Sequence, residues 1–318
     1  MSRVRKAVIT AAGRGTRQYP ATSAVQKEML SLVDRDGLTK PTLQLIIEEC
    51  VESGIEEICI VCSPGGDEAL RNYFKRLDDK DVRAYRGKDW AILESERLGS
   101  LGERLSYVIQ HDPQGFGHAV YQAKDFVGDD PFVLLLGDHV YISDVQDRCV
   151  LQLVKVFEKY GLDAVTGVQP TLEKQLHLFG TIKGNPVDQD AGIYKAELII
   201  EKPSIEEARA KLTTPGLQAG NYLCHFGIHI FSPAIMDSLG YHIDNDLRDG
   251  GEIQLTSSQE HLRANCGKYW AVINQGQRYD TGIPLGLMET QLGLALSGKH
   301  RQEMCESIAR ILATQQRV

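Results

Sequence analysis

The amino-acid sequence predicts an α/β fold: a mixed, mostly parallel central sheet flanked by helices, with a side lobe built from the second half of the chain. Three observations lead there. Strand-like and helix-like segments alternate through the first half, the pattern of a parallel sheet covered on its faces. Two strand segments, Ala7-Val8-Ile9 and Pro131-Phe132-Val133-Leu134-Leu135-Leu136, are apolar throughout rather than alternating, as strands buried on both faces are. A glycine-containing turn, Ala11-Ala12-Gly13-Arg14-Gly15-Thr16-Arg17, follows the first of them directly.

In chain order, 6–12 is a strand and 41–53 (PTLQLIIEECVES) an amphipathic helix stopped by Gly54. A second strand over 57–62 and a second helix over 67–77 repeat the unit, and the charged stretch 78–105 reads as an irregular surface insertion. Then come a strand at 106–110, a helix at 115–125 opening on glycines, and the apolar strand 131–136. The second half mixes strands at 163–168, 198–201, 222–231 and 268–273 with helices at 204–211, 255–264 and 284–297. The end, 301–314, reads as a packing helix that covers the body or joins a second copy, so a homo-oligomer is expected. There is no internal repeat, low-complexity tract or Pro/Ser-rich linker.

With 318 residues, 42% hydrophobic and 25% charged, the chain has the composition of a globular protein able to bury a large core. A net charge of -8 lacks the basic face of a general nucleic-acid binder, so the cations that matter are placed locally. Seven cysteines follow no framework spacing, and Cys59-x-x-Cys62 lies in a strand, where residues three apart point to opposite faces; buried thiols are expected. The start MSRVRKAVIT has no signal-peptide apolar core and no run approaches a membrane span, which predicts a reduced, cytoplasmic setting with no membrane partner.

The turn after the first strand suits phosphate. Gly13 and Gly15 let backbone N–H groups approach an anion, Arg17 adds a fork of donors, and Lys27 is a second cation ten residues on. No acidic residue intervenes before Glu28. It is neither a P-loop, having no Lys-Ser or Lys-Thr pair, nor a dinucleotide fingerprint, since Gln18 holds the third glycine position. An ordinary strand-to-helix turn remains the competing reading. Asp138, directly after the apolar strand, and Asp280, in Arg278-Tyr279-Asp280-Thr281-Gly282, are carboxylates at strand ends that suit Mg²⁺, or alternatively turn-capping residues.

Three further segments stay open between ligand contact and plain structure. Glu201-Lys202-Pro203 offers a cation and an acceptor at a strand end, or a solvated ion pair. Glu252 accepts from hydroxyls or favours the next helix start. Gln110, with Gly115 and Gly117 in QHDPQGFGHA, offers an amide for a pyrimidine edge or a helix cap. His118 and His139 read as structural, because transfer onto an already anionic oxygen needs no general base.

The run AAGRGTRQYPATSAVQKEML resembles the signature loop of the bacterial-type UTP–glucose-1-phosphate uridylyltransferases (UDP-glucose pyrophosphorylases), a branch of the sugar nucleotidyltransferases. QHDPQGFGHAV, LLLGDHVY, FGTI, IIEKPS, GGEIQLT and YDTGIPLG follow in that family's order, so the resemblance covers about residues 4–295. It implies a Rossmann-like nucleotidyltransferase domain over 1–298, with a nucleotide half to about 160 and a sugar-binding half from about 161, and the terminal helix within 299–318. It implies a Mg²⁺-dependent enzyme that joins UTP to glucose 1-phosphate, forming UDP-glucose and releasing pyrophosphate. Ala11, Ala12 and Gly13 would line the base and ribose, while Gly15, Thr16, Arg17 and Lys27 hold the triphosphate, Arg17 and Lys27 as the catalytic cations. Gln110 and Gly115 would read the pyrimidine, Asp138 and Asp280 hold the metal, and Gly180, Glu201, Lys202 and Glu252 take the sugar phosphate.

The chain departs from that pattern in places. Ser23 and Gln26 stand where the family has Lys and Pro, Leu136-Gly137-Asp138 resembles the thymidylyltransferases, and 186–197 diverges. A thymidylyltransferase, a uridylyltransferase for another sugar, and a non-catalytic nucleotide-sugar sensor are the alternatives. Asp188-Gln189-Asp190 has the D-x-D form of a glycosyltransferase but lies in a turn-rich segment.

Overall fold

In the computed structural model, which describes residues 3–85, 88–265 and 267–315, Ala7, Val8 and Ile9 are completely buried in a strand flanked on both sides by parallel strands. The strands are β1 (Lys6–Ala11), β2 (Ser31–Val33), β3 (Thr39–Pro41), β4 (Glu57–Cys62), β5 (Leu105–Ile109), β6 (Phe132–Leu136) and β7 (His139–Ser143), then β8 (Ala164–Leu172), β9 (Thr181–Asp188), β10 (Ile193–Ile200), β11 (Asn221–Phe231), β12 (Tyr269–Ile273) and β13 (Gly276–Asp280). The chain folds as two units. One comprises the chain up to Gly13 with Cys50–Leu136 and Val150–Asn274; the other comprises Arg14–Glu49, Gly137–Cys149 and the chain from Gln275 on.

The first unit holds a nine-stranded sheet in the order β5-β4-β1-β6-β11-β8-β12-β10-β9. β5, β4, β1 and β6 run parallel, β11 is antiparallel to β6 and β8, β12 is parallel to β8, and β10 is antiparallel to β12 and β9. This is the expected mixed sheet, and Val8, Phe132, Leu134, Phe231 and Tyr269 share its core. Because the parallel strands end on one edge, Ala11 to Gly13 after β1 and Gln110 after β5 lie on that edge; the Gln110 N–H donates to the Cys62 carbonyl at 2.8 Å. Cys59 and Cys62 are buried in β4 outside any disulfide, as expected, and burial pushes the Cys59 thiol up to about 11. Cys266 lies outside the described residues.

The second unit contains two antiparallel pairs, β2 with β3 and β7 with β13, and the helices Pro284–Ser297 and Arg301–Gln315. Its core gathers Leu32, Leu45, Val140, Ile142 and Leu294. Lys40 is buried here, its Nζ bonded to Asp34 (2.7 Å), Asp36 (2.7 Å) and Glu48 (3.1 Å).

Several expectations are corrected. The supposed insertion 78–105 holds two helices, Asp79–Ala84 and Asp89–Gly102. Asp78 caps the first by accepting from the Lys80 and Asp81 N–H groups, and the second buries Ala91, Ser95 and Gly99, small residues that leave little apolar signal. The helix expected at 115–125 is two, Phe116–Tyr121 and Lys124–Val127. The divergent segment 186–197 is the β9–β10 hairpin, with Gln189 and Asp190 in its turn. Among the described residues, no helix is long and apolar enough to cross a membrane.

Candidate active site

In the second unit the sequence brings two carboxylates and a histidine together by strand pairing. The chain turns through Gly137-Asp138 into β7, and antiparallel pairing with β13 sets His139 opposite Asp280. The Thr281 N–H and hydroxyl both donate to the Asp138 carbonyl at 2.8 Å, pinning the turn to the end of β13. One possible ligand atom from each of Asp138, His139 and Asp280 lies within 4.8 Å of the others. Gly282 makes this proximity possible. A Cβ there would stand 2.5 Å from Asp138 Oδ2 and 2.9 Å from Asp280 Oδ1, closer than van der Waals contact allows.

The loop that follows β1 supplies cations to the same cluster. Gly15 adopts φ +64°, and a Cβ on it would meet Thr22 Cγ2 at 2.9 Å and Lys27 Cβ at 3.2 Å, so only glycine permits the turn that folds Lys27 back. Thr16 begins the short 3₁₀ turn Thr16–Gln18. Gln18, buried, donates from Nε2 to the Thr281 carbonyl at 2.8 Å. Lys27 Nζ donates to Asp138 Oδ2 at 2.7 Å, and Arg17 Nη1 stands 3.7 Å from Asp280 Oδ2. The structure thus brings together Arg17, Lys27, Asp138 and Asp280, all singled out in the sequence.

Electrostatics follow from burial. Burial works against the Asp138 carboxylate, but positive charge beside it, from His139 in acid and from Lys27 and Arg17 throughout, holds it below the ordinary carboxylate range. Burial pushes the imidazole of His139 down to about 4, so the ring is neutral at pH 7; its Nδ1 is buried without a hydrogen-bond partner. Two carboxylates with a neutral, orphaned imidazole nitrogen fit a divalent cation, with the carboxylates the harder donors that Mg²⁺ prefers. Glu28 is fully buried, neither carboxylate oxygen has a hydrogen-bond partner, and burial pushes it up to about 7.

The remaining site residues lie in the first unit. Ala11 is buried, Ala12 half-buried and Gly13 exposed at the end of β1. Gln110 is buried, its Nε2 2.9 Å from His118 Nδ1. The Gly117 N–H donates to the Ile253 carbonyl and the Ile253 N–H to the Gln114 carbonyl, both at 2.8 Å, which sets Gly115 beside Glu252. Gly180, Glu201 and Lys202 form a second group: the Gly180 carbonyl accepts from the His225 N–H at 2.9 Å, and the Lys202 N–H donates to the Phe179 carbonyl at 3.2 Å. Glu201 accepts from the Thr256 hydroxyl at 2.7 Å and lies 3.5 Å from Lys202 Nζ.

With this geometry in place, comparison with known proteins is decisive. The sequence pattern of the nucleotidyl transferase family matches residues 6–294. The chain belongs to that family. Bacillus subtilis (strain 168) UTP–glucose-1-phosphate uridylyltransferase is 35% identical over 303 residues, 95% of each chain. The solved UDP-glucose pyrophosphorylase from Acinetobacter baumannii superposes with a TM-score of 0.79 at 26% identity, over 97% of this chain and 99% of that one. A UDP-glucose pyrophosphorylase complexed with UDP-glucose gives 0.72 at 26% identity, over 91% and 98%. The resemblance read from the signature loop is borne out.

Four residues of the second unit that the sequence does not single out as site residues stand in this cluster or hold it. His139 was read as structural, yet stands with the two aspartates; Gln18, Thr281 and Gly282 hold the turn that carries them. Only Gly282 left a trace, as a glycine two residues after Asp280 in a run already marked as a site.

Proposed function

We propose that this nucleotidyl transferase moves a uridylyl group from UTP to glucose 1-phosphate, releasing pyrophosphate, with Mg²⁺ held by Asp138 and Asp280, in the cytoplasm. The single observation that carries the reading is the cluster in which Lys27 and Arg17 stand on the two carboxylates. Cations and carboxylates in one cluster suit a polyphosphate with its metal. The names of the relatives support the choice of UTP and glucose.

Bound Mg²⁺ would neutralise phosphate charge and orient the attacking oxygen. Arg17 and Lys27 bind the triphosphate and stabilise the charge that grows on the departing pyrophosphate. Backbone at Gly15 and Thr16 lies along the phosphates, Ala11, Ala12 and Gly13 take the base and ribose, and Gln110 with Gly115 reads the uracil edge. Lys202 grips the sugar phosphate; Gly180, Glu201 and Glu252 receive the sugar hydroxyls. An oxygen of the sugar phosphate attacks the α-phosphorus in line as the bond to the β-phosphate oxygen breaks. That oxygen is already anionic, so no general base is used.

Pyrophosphate release with Mg²⁺ across a grid of nucleoside triphosphates and sugar 1-phosphates tests this. UTP with glucose 1-phosphate should be the fastest pair; faster turnover with dTTP or another sugar refutes the substrate assignment, and no release anywhere favours a sensor.

We also propose a homo-oligomer. Leu285, Met288 and Leu292 lie on one face of helix Pro284–Ser297 and are 62%, 70% and 43% exposed. Light scattering should give a multiple of the 35.3 kDa chain mass, and a monomer refutes it.

A further inference from the structure

We propose that Glu28 is a second seat for the Lys27 ammonium, taken when a divalent cation claims Asp138. The inference rests on the reading of Asp138 and Asp280 as metal ligands and deepens it.

Lys27 has two anions within reach. Its Nζ hydrogen-bonds Asp138 Oδ2 at 2.7 Å, while Glu28 Oε1 stands at 3.6 Å, near enough for charge attraction and too far for a hydrogen bond. The Glu28 side chain has no solvent exposure, and both its oxygens are buried without a hydrogen-bond partner. An orphaned buried carboxylate is costly, and an apolar side chain at this position would remove the cost. Standing 3.6 Å from the Lys27 ammonium, the carboxylate is placed to take a full hydrogen bond from it once Asp138 is engaged elsewhere.

Metal binding supplies that state. Asp138 Oδ2 is the oxygen that lies against Gly282 together with Asp280 Oδ1, so it faces the cluster where a cation would be held. The same oxygen carries the Lys27 hydrogen bond. An ammonium and a divalent cation cannot share it without strong repulsion. The Lys27 side chain is only 14% exposed, so leaving for water means dragging a buried stem outward. A shift of less than about 1 Å instead brings Nζ to hydrogen-bond distance of Glu28. Lys27 then stays close to the cluster, with its charge still available to a phosphate.

The arrangement couples Glu28 to metal affinity through Lys27. With Gln at position 28, Asp138 is the only anion among the described residues left within reach of Lys27, and the ammonium competes harder with the metal. The test is Mn²⁺ binding to the full chain without nucleotide, followed by the electron paramagnetic resonance of free Mn²⁺. Four proteins are compared: wild type, Glu28→Gln, Lys27→Gln and the double variant. Glu28→Gln should weaken Mn²⁺ binding about five-fold or more. Lys27→Gln should bind at least as tightly as wild type, and adding Glu28→Gln to it should change affinity less than about two-fold. Unchanged affinity in Glu28→Gln overturns the proposal, as does an equal loss with and without Lys27, which marks a merely structural residue. Absence of Mn²⁺ binding in all four overturns the metal assignment as well. Should Glu28→Gln not fold, Glu28→Met, also uncharged and of similar length, is read in the same way.

Discussion

Lys27 Nζ and Asp138 Oδ2, 111 residues apart in sequence, are joined by a 2.7 Å charged hydrogen bond. The bond fastens the loop that follows β1 to the turn that opens β7. It keeps a cation of that loop and a carboxylate of that turn at one place. Charge-assisted bonds of this kind are among the stronger polar contacts, and here both partners are nearly buried.

From this pairing, Lys27→Ala should lower kcat by about 100-fold or more, while the KM for the sugar phosphate changes less than about three-fold. Steady-state kinetics with both substrates varied would check it. The opposite ranking, a large KM effect with kcat preserved, would move Lys27 from the departing pyrophosphate to ground-state binding of the sugar.

Gly282→Ala should impair activity without loss of fold. The new Cβ would meet Asp138 Oδ2 at 2.5 Å and Asp280 Oδ1 at 2.9 Å, so the carboxylates must spread. A reduction of about ten-fold or more in turnover, with a melting temperature within a few degrees of wild type, is expected. Full activity would show that the spacing of the carboxylates is not critical.

Much of this was legible in the sequence, for reasons that differ by residue. The central strands announced themselves because Ala7-Val8-Ile9 and Phe132 to Leu136 are apolar on both faces, and a strand buried on both sides has no other pattern to show. Arg17, Lys27, Asp138 and Asp280 were visible as charges next to strand ends and glycines. The pairing of β7 with β13 was not, since five-residue strands with mixed burial carry little periodicity. Without that pairing His139 could not be placed opposite Asp280. The helix Asp89–Gly102 hid for a related reason: apart from Leu101 its buried residues are Ala91, Ser95 and Gly99, and small residues do not register as an apolar stripe.

Lys40 offers a stability test away from the Asp138–Asp280 cluster. It is buried among Asp34, Asp36 and Glu48; burial disfavours its charge, but those hydrogen bonds and charges more than offset this and hold it above the ordinary lysine value. Removing the cation takes away the charge that the three carboxylates share, so Lys40→Met should cost about 3–5 kcal/mol in denaturant unfolding. Because the folded value is raised, the contribution is fully present below the ordinary lysine value and is lost only as pH rises through the folded one. The gap between variant and wild type should therefore be flat from roughly pH 6 to 9. A cost below about 1 kcal/mol would show that the carboxylates find other partners.

Glu28 predicts a pH dependence of stability. Burial raises it to about 7 from an ordinary value of 4.5. Its contribution is therefore fully present below 4.5 and fades as pH rises through about 7, where the buried carboxylate must ionise. Relative to wild type, Glu28→Gln should gain stability between pH 5 and pH 8, by up to about 3 kcal/mol. A difference independent of pH over that range would mean that Glu28 is already ionised in the folded protein at pH 5.

The central claim is uridylyl transfer at a metal held by Asp138 and Asp280. Pyrophosphate release from UTP and glucose 1-phosphate with Mg²⁺, by wild type and by Asp138→Asn, tests it most directly. The wild type should release pyrophosphate one-for-one with UDP-glucose, and the folded variant should lose about 99% of the rate or more. Undiminished Mg²⁺-dependent turnover in Asp138→Asn, or none in the wild type, would contradict the account.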